Sequence, residues 1–349
     1  MPRPSNVSKL PIRLCAAALA SALVSCSSNP MDAPPPTIVP AGPADSPAAV
    51  AEPPGRVLPL AADAQAALFD MATHSLVVLA PGPGAGSAVT VLPATGPATT
   101  TELGGVATAL SGDGDGQAVL STRGGYIRFD IATAEAVRVG VEGQEAVDFT
   151  ALARRDDGRL VLGSADGAVY TLDSDTTVGA RLDIFARVDA LVTQGNTAVV
   201  LDRGQTSVTS LNTEGTSSEH ALRAGQGATT MAADPAGRVL VADTRGGELL
   251  VYGVNPLMLR QRYPVPDAPY GLTTSGGANG PGLAWVAQTA TNTVVGYDLA
   301  TGIPVEKVRY RTVQQPNSLA FDDASDTLYV VSGAGAGVQV IPAATGPAR

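Results

Sequence analysis

The sequence predicts an all-β protein, a seven-bladed β-propeller that follows a signal peptide and a disordered proline- and alanine-rich tether. Three observations carry that expectation: an internal repeat of about 40 residues, short β-rich runs grouped four to a unit, and the stretch "LVSCSS" directly after a short apolar run.

Reading from the N-terminus, Arg3, Lys9 and Arg13 precede an apolar run from Leu14 to Val24. That run has the length of a secretory h-region and is short for a bilayer span. Leu23, Val24, Ser25 and Cys26 match the bacterial lipobox, in which cleavage before a lipidated cysteine leaves that cysteine as the first mature residue. The expected divisions are therefore 1–25 signal peptide, 26–55 lipidated cysteine and linker, and 56–349 propeller. Cys15 lies within the segment to be removed, so Cys26 has no disulfide partner in the mature chain. Two or three acyl chains on Cys26 suffice for stable anchoring.

Residues 27–55 hold nine prolines and no apolar periodicity, so they are expected to form an extended tether with a reach of up to about 90 Å. Such a tether would hold the folded part clear of the membrane.

From residue 64 the units align on Leu68, Leu110, Leu152, Leu191, Met231, Leu272 and Leu319, with spacings of 42, 42, 39, 40, 41 and 47. A turn rich in Gly, Asp or Asn follows each, then a run such as "SLVVLA", "RLVLG" or "TLYVV". A second turn leads to a third strand such as "GYIRFD" or "TVVGYD", and most units end in a more polar fourth strand, as in "EAVRVG", "ARLDIFA" and "EKVRYRT". Four strands in about 40 residues is a propeller blade, and seven units give seven blades. The last unit lacks a fourth strand, whereas "RVLPL" at 56–60 precedes the first unit, so 56–60 is expected to pair onto blade 7 and close the ring. Closure removes open sheet edges.

Net charge and composition exclude some partners. The whole chain is formally −10, and loss of Arg3, Lys9 and Arg13 leaves 19 basic against 32 acidic residues, or −13. A nucleic-acid partner is not expected for so acidic a chain, nor is general adhesion to anionic lipid. Lys307 is the one lysine left after processing, so an anion site would be built from arginines.

Several motifs have plain structural readings. "GPGAG" (82–86) and "GAGAG" (333–337) are followed by strands, and a phosphate cradle needs a helix N-terminus there, so they are read as hairpins. Asp113, Asp115, Asp156, Asp157, Asp322, Asp323 and Asp326 recur between first and second strands without the spacing of a calcium loop, so they are read as turn formers. His74 and His220 fall in different blades with no convergent ligand, and no metal or other cofactor is expected. Trp285 is read as inter-blade packing.

Two groups of residues are candidate sites. Arg123, Arg203 and Arg245 occupy the hairpin between second and third strands in three blades, on the face that also carries the loops entering each first strand. They could hold a carboxylate, a phosphate or an acidic partner loop, or simply pair with neighbours such as Asp202 and Asp243. The second group lies two residues before each aligned apolar position, where enzymatic propellers carry inward ligands at the channel mouth. Here those positions are Ala66, Thr108, Thr150, Asp189, Thr229, Tyr270 and Asn317. One carboxylate among seven is a poor cage for a hard cation.

"PNSLAFDDASDTLYVVSGAGAGVQVI" and "NTVVGYDLATGIPVEKV" resemble the YVTN and NHL types of propeller repeat. More narrowly, the lipobox with "GSADGAVYTL", "VLDRGQTSVT", "RAGQGATTMAADP" and "GIPVEKVRY" is similar to the LppL family of mycobacterial lipoproteins. That resemblance implies an exported, lipid-anchored propeller on the outer face of the plasma membrane and carries no catalytic residues with it. The expected role is a non-catalytic binding or scaffold module of the cell envelope, with a protein or small anionic ligand on the arginine-bearing face. The alternative is a lactonase-like or quinoprotein-like enzyme using Asp189, Asn317 and Tyr270 at the channel mouth.

Overall fold

A computed structural model describes residue 1 and residues 36–60, 63–276 and 282–346. The signal segment, the cleavage box and Cys26 lie outside these residues. Among the described residues no helix is long and apolar enough to cross a membrane.

The described strands form seven antiparallel sheets of four strands each, a seven-bladed propeller. Blades 1 to 6 span 66–102, 107–140, 149–183, 190–223, 228–264 and 269–311, each in simple chain order from the channel outward. Blade 7 takes its three inner strands from 316–341 and its outer strand from Arg56–Leu58. The pairs Arg56 with Val340, Val57 with Gln339 and Leu58 with Val338 close the ring, as the missing fourth strand of the last repeat requires. Gly55 sits at the entry to this closing strand with φ of 83°, and a Cβ there would lie 2.1 Å from the Val340 carbonyl oxygen. Only glycine combines that backbone angle with that approach.

All seven aligned apolar residues occupy matching places. Leu68, Leu110, Leu152, Leu191, Met231, Leu272 and Leu319 lie on inner strands opposite Val77, Leu120, Leu162, Val200, Val241, Val286 and Val330. Second strands are buried on both faces, which is why they read as nearly continuous apolar runs. In blade 4, Ala198 and Val200 face blade 3 while Val199 and Leu201 face blade 5. Seven hydrophobic clusters result, one at each blade-to-blade boundary. Trp285 is fully buried at the boundary of blades 6 and 7, stacked on Phe321 with ring centroids 5.8 Å apart. Fourth strands are the most exposed, and in Val178–Asp183 exposed and half-buried residues alternate because only one face meets a neighbour. That strand ends before Phe185, which the sequence pattern had included in it; Phe185 turns inward to the boundary of blades 3 and 4.

Both glycine clusters are hairpins between paired strands. The acidic turns hold their own backbones: Asp113 accepts from the amides of Asp115 and Gln117, and Asp322 accepts from the Ala324 amide and the Ser325 hydroxyl. Asp157 pairs with Arg155 at 2.7 Å. His74 is exposed in a turn and His220 lies exposed on an outer strand.

The tether expectation needs correction over residues 36–54; residues 27–35 lie outside the described residues. Residues 36–54 run along the propeller as a strap, from blade 4 past blades 5 and 6 to the closing strand. The same prolines that argue against a packed core also fix an extended backbone at small entropic cost, and that backbone offers carbonyls to side-chain donors.

Candidate functional site

In a propeller, the loops that enter each inner strand and the hairpins between second and third strands emerge on one face. Both candidate groups lie there, but in different relations to the strap.

The channel-mouth position coincides with a break in strand register in five blades. Breaks fall between Ala107 and Ala109, Phe149 and Ala151, Ala228 and Thr230, Pro269 and Leu272, and Pro316 and Ser318. A bulge re-aims the extra residue. The three threonines are thereby turned to neighbouring backbone. Thr108 Oγ1 donates to the Phe149 carbonyl of blade 3 at 2.7 Å, and Thr150 Oγ1 to the Val188 carbonyl entering blade 4 at 2.5 Å. Thr229 and Thr244 hydroxyls lie 2.6 Å apart, and Thr244 Oγ1 donates to the Pro269 carbonyl of blade 6 at 2.5 Å. These hydroxyls bind one blade to the next. Among the described residues no three His, Cys, Asp or Glu side chains converge as metal ligands.

Asp189 is the carboxylate at this mouth, with a side chain only 8% exposed. It accepts from the Arg203 amide at 2.8 Å and from Arg187 Nε at 3.1 Å. Burial pushes its carboxyl above the ordinary range, opposed by the Arg203 amide and by the charges of Arg203 and Arg187. Tyr270 is also pushed up by burial, with Arg203 opposing. Asn317 Oδ1 accepts from Gln315 Nε2 at 3.0 Å.

Arg203 and Arg245 come together under the strap, whereas Arg123 does not. Arg203 Nη2 donates to the Ala41 carbonyl, and Arg245 Nη2 donates to the Val39 carbonyl at 2.7 Å. Arg123 pairs with Asp148 at 3.1 Å, both side chains more than half exposed. Pairing of Arg203 and Arg245 with Asp202 and Asp243 is not what the hairpins use. Both carboxylates are fully buried and turn inward, Asp202 accepting from the amides of Ala186, Arg187 and Gln205, and Asp243 from those of Gln226, Gly227 and Gly246. Each carboxylate ties its hairpin to the adjacent entry loop, leaving its arginine to the strap.

Sequence reasoning missed the rest of the strap's seat. Asn292 Nδ2 donates to the Pro47 carbonyl at 2.7 Å, Gln314 Nε2 to Ser46 at 3.2 Å and Gln315 Nε2 to Ala44 at 3.0 Å. The one available signal was the pair of glutamines in "TVQQPNS". A separate open groove of about 640 Å³ lies on the opposite side of blade 7, between Arg56, His74, Asp322 and Tyr329.

No family model and no curated protein matches this chain. Solved structures with the same architecture do. A chain of a mitotic checkpoint complex superposes with a TM-score of 0.69 at 13% identity, covering 88% of this chain and 99% of that one. A streptogramin B lyase gives 0.65 at 9% identity, covering 82% and 97%. A chain of Kuenenia stuttgartiensis hydrazine synthase gives 0.62 at 13% identity, covering 83% and 98%. At these identities the likeness is one of fold: the chain is a seven-bladed β-propeller.

Proposed function

We propose that this protein is an exported, lipid-anchored lipoprotein of the LppL type, whose propeller serves as a non-catalytic binding or scaffold module at the outer face of the plasma membrane. The address rests on the Leu23, Val24, Ser25 and Cys26 box after a basic and apolar leader. The observation that carries the binding role is that Arg203 and Arg245 each donate to a strap carbonyl while their aspartate neighbours are spent on backbone amides. Two guanidinium groups on one face, neither bonded to its neighbouring aspartate, suit a protein segment or a small anionic ligand. The spent hydroxyls of Thr108 and Thr150 speak against a reaction centre at the channel mouth.

The test titrates carboxylate and phosphate ligands and acidic peptides into the purified protein and into Arg123→Ala, Arg203→Ala and Arg245→Ala. Affinity that falls roughly tenfold or more in Arg203→Ala and Arg245→Ala, with Arg123→Ala as the comparison, supports the reading, since a charge-assisted bond is worth about 1.5–3 kcal/mol; unchanged binding in those two variants removes it. Capture from detergent-solubilised envelope then asks for the partner. A hydrolase or dehydrogenase reading has one supporting observation, the buried Asp189 beside Tyr270. A stoichiometric bound cation in the purified protein would favour it.

A further inference from the structure

The strap meets the propeller almost wholly through its main chain. Of nine hydrogen bonds between residues 38–47 and the rest of the propeller, eight use strap backbone atoms, the exception being the Ser46 hydroxyl on the Thr289 carbonyl. Five strap carbonyls, those of Val39, Ala41, Ala44, Ser46 and Pro47, take side-chain donors. Three strap amides have acceptors: Ile38 on the Gly204 carbonyl at 2.7 Å, Ala44 on Thr289 Oγ1 at 3.0 Å and Ser46 on Gln315 Oε1 at 3.0 Å. Pro40, Pro43 and Pro47 have no N–H to satisfy; Pro40 and Pro43 stand between the donating amides of Ile38 and Ala44, and Pro47 follows that of Ser46.

Side chains contribute little. Val39 is 81% exposed and only Ala41 is buried, at 8%. Ala41 fits against Gly227, where an added Cβ would stand 3.0 Å from that of Ala41. A seat that reads backbone at five carbonyls and three amides, and admits one small side chain, recognises a conformation rather than a particular sequence.

We infer that the face over blades 4 to 6 is a track for extended, proline-spaced polypeptide, filled in this structure by the chain's own residues 38–47, and that its partner is a Pro- and Ala-rich segment of another envelope polypeptide which displaces the strap. This names the partner class for the face in the proposed function and rests on that reading. Recognition of a preformed extended backbone keeps the ordering cost of such a ligand low. The strap competes from within the same chain, where the effective concentration of a short linked segment is of millimolar order. A free partner therefore gains access chiefly when the strap is released.

The test uses a fluorescein-labelled peptide of residues 36–48 and fluorescence anisotropy on three full-length proteins: wild type, a chain with 37–47 replaced by Gly-Ser of equal length, and Ala44→Pro/Ser46→Pro. The double variant removes two strap amides without touching any blade, so it remains informative if the Gly-Ser chain folds poorly. Both altered chains should bind the peptide at least about tenfold tighter than wild type. Adding Arg203→Ala and Arg245→Ala should abolish most of that gain, and a peptide with proline at the positions of Ala44 and Ser46 should not bind. A peptide with the exposed Val39 changed to threonine should bind equally well. Absence of saturable binding to both folded altered chains overturns the inference, as does equal affinity for all three. If small anions still bind in an Arg203- and Arg245-dependent manner while the peptide fails, the proposed function stands and the track falls.

Discussion

Arg203 Nη2 donates to the carbonyl of Ala41, a residue 162 positions earlier in the chain. The bond joins a hairpin of blade 4 to the segment that leads into the closing strand of blade 7. The side chain of Ala41 is a single methyl group, buried against Gly227. The guanidinium therefore holds a backbone, while the close approach to Gly227 limits the residue at 41 to a small side chain.

Arg203→Ala should release the strap locally without opening the ring. A hydrogen bond to a charged group is worth about 1.5–3 kcal/mol, and the seven blade boundaries do not include this contact. Amide exchange at Ile38, Ala44 and Ser46 should accelerate by roughly tenfold or more while the melting temperature stays nearly constant. Unchanged protection at those three amides would show that Arg203 does not hold the strap.

Gln339 is the second fixed point. Its side chain is fully buried and donates to the Pro54 carbonyl at 2.9 Å and the Arg311 carbonyl at 3.1 Å, while its Oε1 accepts from the Val313 amide at 3.1 Å. One amide thus satisfies three backbone groups, from the strap's end, the outer strand of blade 6 and the loop into blade 7. Gln339→Leu keeps the volume and strands all three. At about 1–3 kcal/mol for each unsatisfied group, the loss should be about 3 kcal/mol or more in urea unfolding. A loss under 1 kcal/mol would mean that water replaces the amide.

The boundary of blades 6 and 7 can be probed at Trp285, the single tryptophan of the chain. It lies between Phe321 and Tyr310, with ring centroids 5.8 and 6.4 Å away. Trp285→Ala should cost about 3–5 kcal/mol, the usual loss for a buried large aromatic. In the wild type, tryptophan fluorescence and far-UV circular dichroism should give one coincident urea transition if the closing blade melts with the ring. An earlier fluorescence transition would show that blade 7 opens first.

The ring was legible in the sequence because burial repeats. Leu68, Leu152 and Leu319 face the same kind of neighbour in each blade, so their spacing records the fold directly. Ring closure was legible by counting strands. The strap was not legible, because a segment bound through its carbonyls carries no apolar periodicity and has the composition of a free tether. Its donors Asn292, Gln314 and Gln315 look like ordinary loop residues until the backbone brings them into line. Spacing singles out Thr108, Thr150 and Thr229 as matching positions, but a bulge decides where a side chain points, and no residue type at Thr108 or Thr150 announces it.

Asp189 gives a prediction whose sign depends on which physical effect dominates. Burial raises its carboxyl pKa above the unfolded value, and the Arg203 amide with the charges of Arg203 and Arg187 only partly offsets this. A carboxyl raised in the folded state binds its proton more tightly there than in the unfolded chain. Its charged form therefore weakens the fold, by an amount that is zero well below the unfolded pKa of 3.8, grows as pH rises through the folded pKa and is constant above it. Asp189→Asn retains an oxygen to accept from the Arg203 amide and removes the buried charge. The melting temperature of Asp189→Asn minus that of wild type should accordingly increase between pH 3.5 and pH 7. A difference that decreases over that interval would show that attraction to Arg187 and Arg203 outweighs burial, and that the mouth holds a stabilised carboxylate.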